Sequence, residues 1–256
     1  MSKEWLPVDN KLRSVARGHE LVWIDESEIP ADAGVRVHPE DHKSWGAVRV
    51  SSEYLEHLAA TTGGHLLMPR EITYSDYPEL YKAAGQLRNR EMMRFDPASG
   101  KPLHYPNDQR YGVTDDGTEV FPRTNPCVIG LVDLEGTDKT LIVRTAVHPQ
   151  RWSVVAGYVE NGETIEEAFI REVAEESGRR IIDTPQYLFS MPWPFSSSLM
   201  FAMRATTRDE NPVLPLDGEL VDMRWISKSE IRDPSFEMPA GGSTAGMLLR
   251  LWRDED

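Results

Sequence analysis

The sequence predicts a mixed α/β (α+β) sandwich, because strand-like and helix-like segments alternate through its second half and do so without a repeated unit. A doubly wound sheet would repeat one strand–helix unit. Composition agrees: of 256 residues, 39% are hydrophobic and 27% charged, which suits a chain with real cores and not a disordered, collagenous or coiled-coil one. Three stretches are expected: a smaller mixed N-terminal domain at 1–94, a turn-rich segment at 95–122 and the main domain at 123–256.

Within 1–94, GAVRVS reads as a strand, and in the SEYLEHLAA that follows Ser52 is placed to cap a helix with Leu55, Leu58 and Ala59 on one face. A second helix is expected from Tyr77 to about Met93. This stretch holds no phosphate-binding glycine loop and no catalytic grouping, so its expected role is scaffold or dimer surface. From Phe95 to Pro126 the residues Pro, Gly, Asp and Asn accumulate, which predicts turns and short hairpins. Beyond them CVIGLVDL and KTLIVRTA read as strands split by the turn EGTD, and WSVVAGYV as a third. A strong helix pattern comes next, then strands around an aromatic loop in QYLFSMPWPFSSSLMFAMRATT, and a last helix in GSTAGMLLRLW.

Lys and Arg number 28 against 42 Asp and Glu, a formal net charge of −14, which argues against broad electrostatic capture of nucleic acid or of an anionic membrane. An anionic substrate then needs positive charge from elsewhere. Cys127 is the sole cysteine, so an intramolecular disulfide and a tetracysteine zinc site are both excluded; on a predicted buried strand it reads as a small core residue. No apolar run approaches the roughly 18 residues of a membrane span, and the start lacks a signal-peptide stretch, so a cytoplasmic protein is expected. His38 and His42 have ligand-like spacing, but Pro39 breaks the helix such a pair needs, and both are expected at the surface.

The chemistry concentrates in GYVENGETIEEAFIREVAEESGR, residues 157–179. Thr164 followed three residues later by Glu167 is a capping box that should start a helix, and Gly178 is a natural stop. Ile165, Ala168, Phe169 and Val173 give it an apolar stripe. Glu172, Glu175 and Glu176 stand at i, i+3 and i+4, so three carboxylates meet on one face and repel one another unless a cation sits among them. Such a cluster suits Mg²⁺ or Mn²⁺, which prefer oxygen ligands and complete their shells with water and phosphate oxygens.

The pattern Gly157, five residues, Glu163, seven residues, then Arg171-Glu172-Val173-any-Glu175-Glu176-any-Gly178 resembles the signature of the Nudix hydrolases. The resemblance implies a Nudix α/β/α sandwich, preceded by a ribbon-like segment and the N-terminal domain. It also implies a metal-dependent cleavage of pyrophosphate bonds in which Glu172, Glu175 and Glu176 hold metal and Glu176 matters most. Gly157, Glu163, Arg171 and Gly178 are then structural, with a Glu163–Arg171 ion pair orienting loop and helix. Arg179 departs from the pattern, which has an aliphatic residue there, and is expected to alter packing after the helix without disturbing the carboxylates.

A second motif, Ser190 to Ser198 reading SMPWPFSSS, is similar to the SQPWPFPxS of the NADH pyrophosphatases, a Nudix subfamily that also removes NAD caps from RNA; Met191 and Ser196 depart from it. That likeness implies hydrolysis of NADH or NAD to nicotinamide mononucleotide and AMP, a homodimer, and action on NAD-capped RNA 5′ ends. It also implies substrate contacts from Trp193, Phe195, Ser198, Ala245, Tyr158 and Phe121, the last from across the dimer, and Glu219 as a fourth metal carboxylate. FDPASGKPL and DDGTEVFPRTNP resemble the subfamily's zinc ribbon, but the cysteine positions read Asp96, Ser99, Val113 and Asp116, so a degenerate ribbon without structural zinc is expected. Two other readings stay open: a Nudix hydrolase of another nucleotide, such as ADP-ribose or a dinucleoside polyphosphate, and a non-catalytic nucleotide sensor.

Overall fold

The strand Glu4–Val8 (β1) turns Trp5 to one core and Leu6 and Val8 to another, and the first unit is organised by that alternation. In this computed structural model the described residues are 4–38, 45–106 and 110–255, and the chain divides into two units, 1–124 with 193–197 and 125–192 with 198–256. In the first, β1 pairs in parallel with Trp45–Arg49 (β6), flanked by Ile24–Asp25 (β4) and Arg36–Val37 (β5). A second sheet joins Ser14–Arg17 (β2), Glu20–Leu21 (β3) and His65–Leu67 (β7). The helix Ser52–Thr62 (α1) buries Leu55 and Ala59 in the core that holds Trp5, and Pro78–Met92 (α2) buries Leu80, Ala83 and Leu87 in the core that holds Leu6.

Both helices fall where the sequence predicts, with one shift. The cap of α1 is Ser51, whose side chain accepts from the Tyr54 N–H, whereas Ser52 Oγ donates to Asp9 at 2.9 Å. His38 is also a correction: it is buried, its ring 5.1 Å from that of Trp5 and its Nδ1 3.2 Å from the Trp45 carbonyl. A proline beside it forbids a helix, not burial. His42 lies outside the described residues. The turn-rich segment forms a hairpin of Gly112–Val113 (β8) and Glu119–Val120 (β9).

In the second unit Asn125–Leu134 (β10) is the central strand, and its near-continuous apolar run reflects burial on both faces. One edge pairs in parallel with Ser198–Thr207 (β14), which carries Gln186–Trp193 (β13). The other edge meets Val155–Tyr158 (β12) and Lys139–Thr145 (β11), and β11 pairs with Leu220–Ser227 (β15). Two helices cover the faces. Ile165–Ser177 (α3) packs Ala168, Phe169 and Val173 on Val128, Val132 and Met203. After the short Lys228–Ile231 (α4), Thr244–Asp254 (α5) packs Leu248, Leu249 and Trp252 on Ile129, Leu131 and Ile142. The unit is therefore an α/β/α sandwich. Gly130 sets its tightness, because a Cβ there would lie 2.4 Å from the Phe169 ring, and truncating Phe169 would cost about 3–5 kcal/mol.

Candidate active site

The local sequence folds α3 as its capping box requires: Thr164 Oγ1 accepts from the Glu167 N–H at 3.2 Å, and the Glu167 carboxylate accepts from the Thr164 N–H at 2.9 Å. Gly178 ends the helix at φ +67°, a left-handed conformation that glycine adopts freely. Arg171 then ties the preceding loop to the helix. Its Nε and Nη2 meet both oxygens of Glu163 at 2.6 and 3.0 Å, and Nη2 also donates to the Tyr158 carbonyl at 2.9 Å. Its Nη1 donates to Glu172 Oε1 and Glu175 Oε2, each at 2.9 Å. The fork raises Arg171 above its ordinary pKa, chiefly through Glu163, and Arg171 in turn holds Glu163 below the usual carboxylate range.

The carboxylates differ in environment. Glu175 is half exposed. Glu172 lies flat against the backbone of β12, where a Cβ on Gly157 would come within 1.9 Å of its carboxyl carbon; only glycine admits that approach. Burial pushes Glu172 above the ordinary carboxylate value, against the opposing pull of Arg171. Glu176 is 4% exposed, and its Oε2 has no hydrogen-bond partner. Burial and then the charges of Glu172, Asp217 and Glu219 push its pKa up to about 8, while a backbone hydrogen bond from Ala156 pulls the other way. Burial and the same Glu172 and Glu176 push the nearby Cys127 thiol up to about 12, which fits an inert core residue.

Among the described residues no three His, Cys, Asp or Glu side chains stand grouped as a ready metal site, and Arg171 holds Glu172 and Glu175. The donor chemistry nevertheless fits a hard cation: a buried oxygen without a partner, in the electrostatic field of further carboxylates, is relieved by a divalent ion. The structure thus brings Glu172, Glu176 and Glu219 into one field, with Asp217 as an addition the sequence reading missed. Its DGE turn was visible, but its approach depends on how the 209–219 loop folds back.

The remaining candidates fall in two places. In the second unit the Ser198 Oγ lies 3.5 Å from the Tyr158 hydroxyl; Tyr158 is exposed, and Ala245 is buried in the first turn of α5. In the first unit the Trp193 and Phe195 rings are 4.9 Å apart, and Arg70, also missed, sets its guanidinium 4.3 Å from the Phe195 ring centroid. Phe121 is exposed and pairs with Tyr111, ring centroids 5.1 Å apart. Of the four ribbon positions, Asp96 accepts from the amides of Ala98 and Ser99, Asp116 pairs with Lys101, and Val113 lies in β8.

The sequence profile of the NUDIX domain matches residues 123–244. Residues 123–244 are a NUDIX domain. Over 149 residues the chain is 40% identical to the NAD-capped RNA hydrolase NudC of Mycobacterium bovis, covering 53% of this chain and 47% of that protein. A protein of the same description from Stutzerimonas stutzeri is 34% identical over 160 residues, covering 62% of this chain and 55% of the relative. The chain spans about half the length of the curated relatives it matches. A NUDIX hydrolase structure from Nitrosomonas europaea aligns at 23% identity with a TM-score of 0.47, over 64% of this chain and 92% of that one. No helix among the described residues is long and apolar enough to cross a membrane.

Proposed function

We propose that the protein is a metal-dependent hydrolase that cleaves the pyrophosphate bond of NADH or NAD to nicotinamide mononucleotide and AMP, and that it removes NAD caps from RNA. The observation that carries the reaction class is the buried, unpartnered oxygen of Glu176 among Glu172, Asp217 and Glu219 on a NUDIX helix. The substrate class is supported by the PWPF motif and by relatives described as NAD-capped RNA hydrolases.

Glu172, Glu175, Glu176 and Glu219 are the proposed ligands of Mg²⁺ or Mn²⁺. When bound, the ion supplies neutralisation of the diphosphate and a coordinated water of lowered pKa. Glu163 and Arg171 hold the loop against the helix, and Gly157 admits Glu172 to the backbone. Tyr158 and Phe121 present flat faces to a base or nicotinamide ring, at roughly 1–3 kcal/mol per stacked ring. Trp193, Phe195, Ser198 and Ala245 complete the substrate contacts. In the reaction, oxygen from water bonds to one phosphorus, the bridging P–O bond breaks, and the second phosphate leaves with the bridging oxygen. The protein works as a homodimer in the cytoplasm, and its ribbon segment needs no zinc.

A hydrolysis panel of NADH, NAD, NAD-capped RNA, ADP-ribose and a dinucleoside polyphosphate with Mg²⁺ or Mn²⁺, read by mass spectrometry, tests the reading. Nicotinamide mononucleotide and AMP are the expected products. Release of free nicotinamide, or no cleavage of any dinucleotide, would overturn it, and a higher efficiency on ADP-ribose would reassign the substrate. Stoichiometric zinc in the purified protein would contradict the zinc-free ribbon.

A further inference from the structure

Arg179, the departure from the signature, is 4% exposed and has become a clasp. Its guanidinium donates to three backbone carbonyls, Ser177 at 2.8 Å, Asp209 at 3.1 Å and Glu210 at 2.9 Å. It also packs over the Trp225 ring, 5.1 Å from the centroid, while the Trp225 Nε1 donates to the same Glu210 carbonyl at 2.8 Å. One of those carbonyls ends α3; the other two open the 209–219 loop that leads from β14 to β15. The nearby Asp209 carboxylate is itself taken by Arg180 at 3.1 Å. A buried guanidinium spent on main-chain carbonyls is costly to desolvate, and an aliphatic residue at this position would leave those carbonyls without that donor.

The loop then touches the helix end twice more. The amides of Val213 and Leu214 donate to the Gly178 carbonyl at 2.8 and 3.0 Å, and the Asp217 amide donates to the Glu175 carbonyl at 3.1 Å. These bonds satisfy carbonyls that a helix C-terminus otherwise leaves open. A Cβ on Gly178 would lie 2.7 Å from the Leu214 carbonyl oxygen, so helix end and loop approach as closely as their backbones permit. Asp217 Oδ1 next accepts from the Glu219 amide at 2.9 Å, and both carboxylates act electrostatically on Glu176.

We propose that Arg179 is a positioning residue: it clamps the 209–219 loop to the C-terminus of α3, and so sets where Asp217 and Glu219 present their carboxylates to Glu176 and how tightly that site holds a divalent cation. The inference rests on the metal-site reading of Glu176 given above. Arg179 acts through the helix end and the loop that it ties together.

The test titrates Mn²⁺ alone into the full chain, with the free ion followed by electron paramagnetic resonance, and measures hydrogen exchange of the metal-free chains in parallel. Arg179→Leu is expected to weaken Mn²⁺ binding about tenfold, the lower end of what outer-shell changes cost, and Arg179→Lys by less. Exchange should rise at the amides of 213–219 while those of β10 and β14 keep their protection. In an Asp217→Asn, Glu219→Gln background, Arg179→Leu should add nothing further to the loss of affinity. Unchanged exchange at 213–219, or unchanged Mn²⁺ affinity in a destabilised variant, overturns the proposal. Equal Mn²⁺ binding by wild type and Glu176→Gln overturns the metal-site reading instead, and the exchange data still judge the clamp. Should Arg179→Leu not fold, Arg179→Lys carries both readouts.

Discussion

Each unit buries a carboxylate, and the two are treated in opposite ways. Asp9, at the end of β1, is fully buried and accepts from the amides of Lys11 and Arg13, from Arg13 Nε and from Ser52 Oγ, all at 2.8–2.9 Å. Burial alone pushes it up, but these donors outweigh that and hold it below the ordinary carboxylate value. Glu176 suffers the same desolvation with one backbone donor and three acidic neighbours, and goes up to about 8. Burial of a charge therefore says little about its role. What separates a structural carboxylate from a reactive one is whether the chain supplies donors for its oxygens or leaves one open for an ion.

That contrast breaks most visibly at Glu176. Glu176→Gln is expected to lower kcat by about 10³-fold or more while leaving the protein folded, as read by steady-state kinetics beside a melting curve in EDTA. Near-full activity would remove Glu176 from the site. Asp9→Ala is the mirror image: it takes the acceptor from the Lys11 and Arg13 amides and leaves Arg13 with Glu56 alone, and should cost about 3 kcal/mol in urea unfolding, with Mn²⁺ affinity untouched. A loss under about 1 kcal/mol would show that the Asp9 donors find water instead. A milder change is Arg171→Lys, which keeps the charge but loses the two-pronged grip on Glu163; activity should fall roughly tenfold, and full retention would deny the pair any part in holding the loop.

Stability against pH sharpens the same contrast. A carboxyl whose folded pKa is raised binds its proton more tightly when folded, so its contribution in the metal-free chain is complete below the ordinary value of 4.5 and drains away as pH rises toward about 8. Asp9, being lowered, contributes above its ordinary value of 3.8 and loses that contribution as pH falls below it. Unfolding in EDTA should show a downward slope with pH that Glu176→Gln flattens and Asp9→Asn leaves in place.

Much of the site was readable because it is local. The capping box, the apolar stripe, the i, i+3, i+4 glutamates and Gly178 all lie within one helix, and helical periodicity puts them on one cylinder without any knowledge of the rest. The misses are long-range. Asp217 reaches the cluster only because the loop folds back onto Gly178, and Arg179 reads as a packing anomaly until the carbonyls of Asp209 and Glu210 appear beside it. Ser51 and Ser52 are equally good caps on sequence grounds; the choice falls to Ser51 because Ser52 Oγ is claimed by Asp9 from 43 residues away.

The parallel ladder between β10 and β14 has a kinetic side. It runs unbroken from Asn125↔Ser198 to Leu134↔Thr207, so every rung joins positions 198 − 125 = 73 residues apart. Closing so long a loop precedes any reward from the pairing, which places this step among the slow ones of folding. The helix with its glutamates lies inside that loop and can form early. The segment that delivers Asp217 and Glu219 follows β14 in the chain and is therefore synthesised after both the helix and that strand. During synthesis the chain therefore carries its acidic helix for some time before the remaining carboxylates reach it.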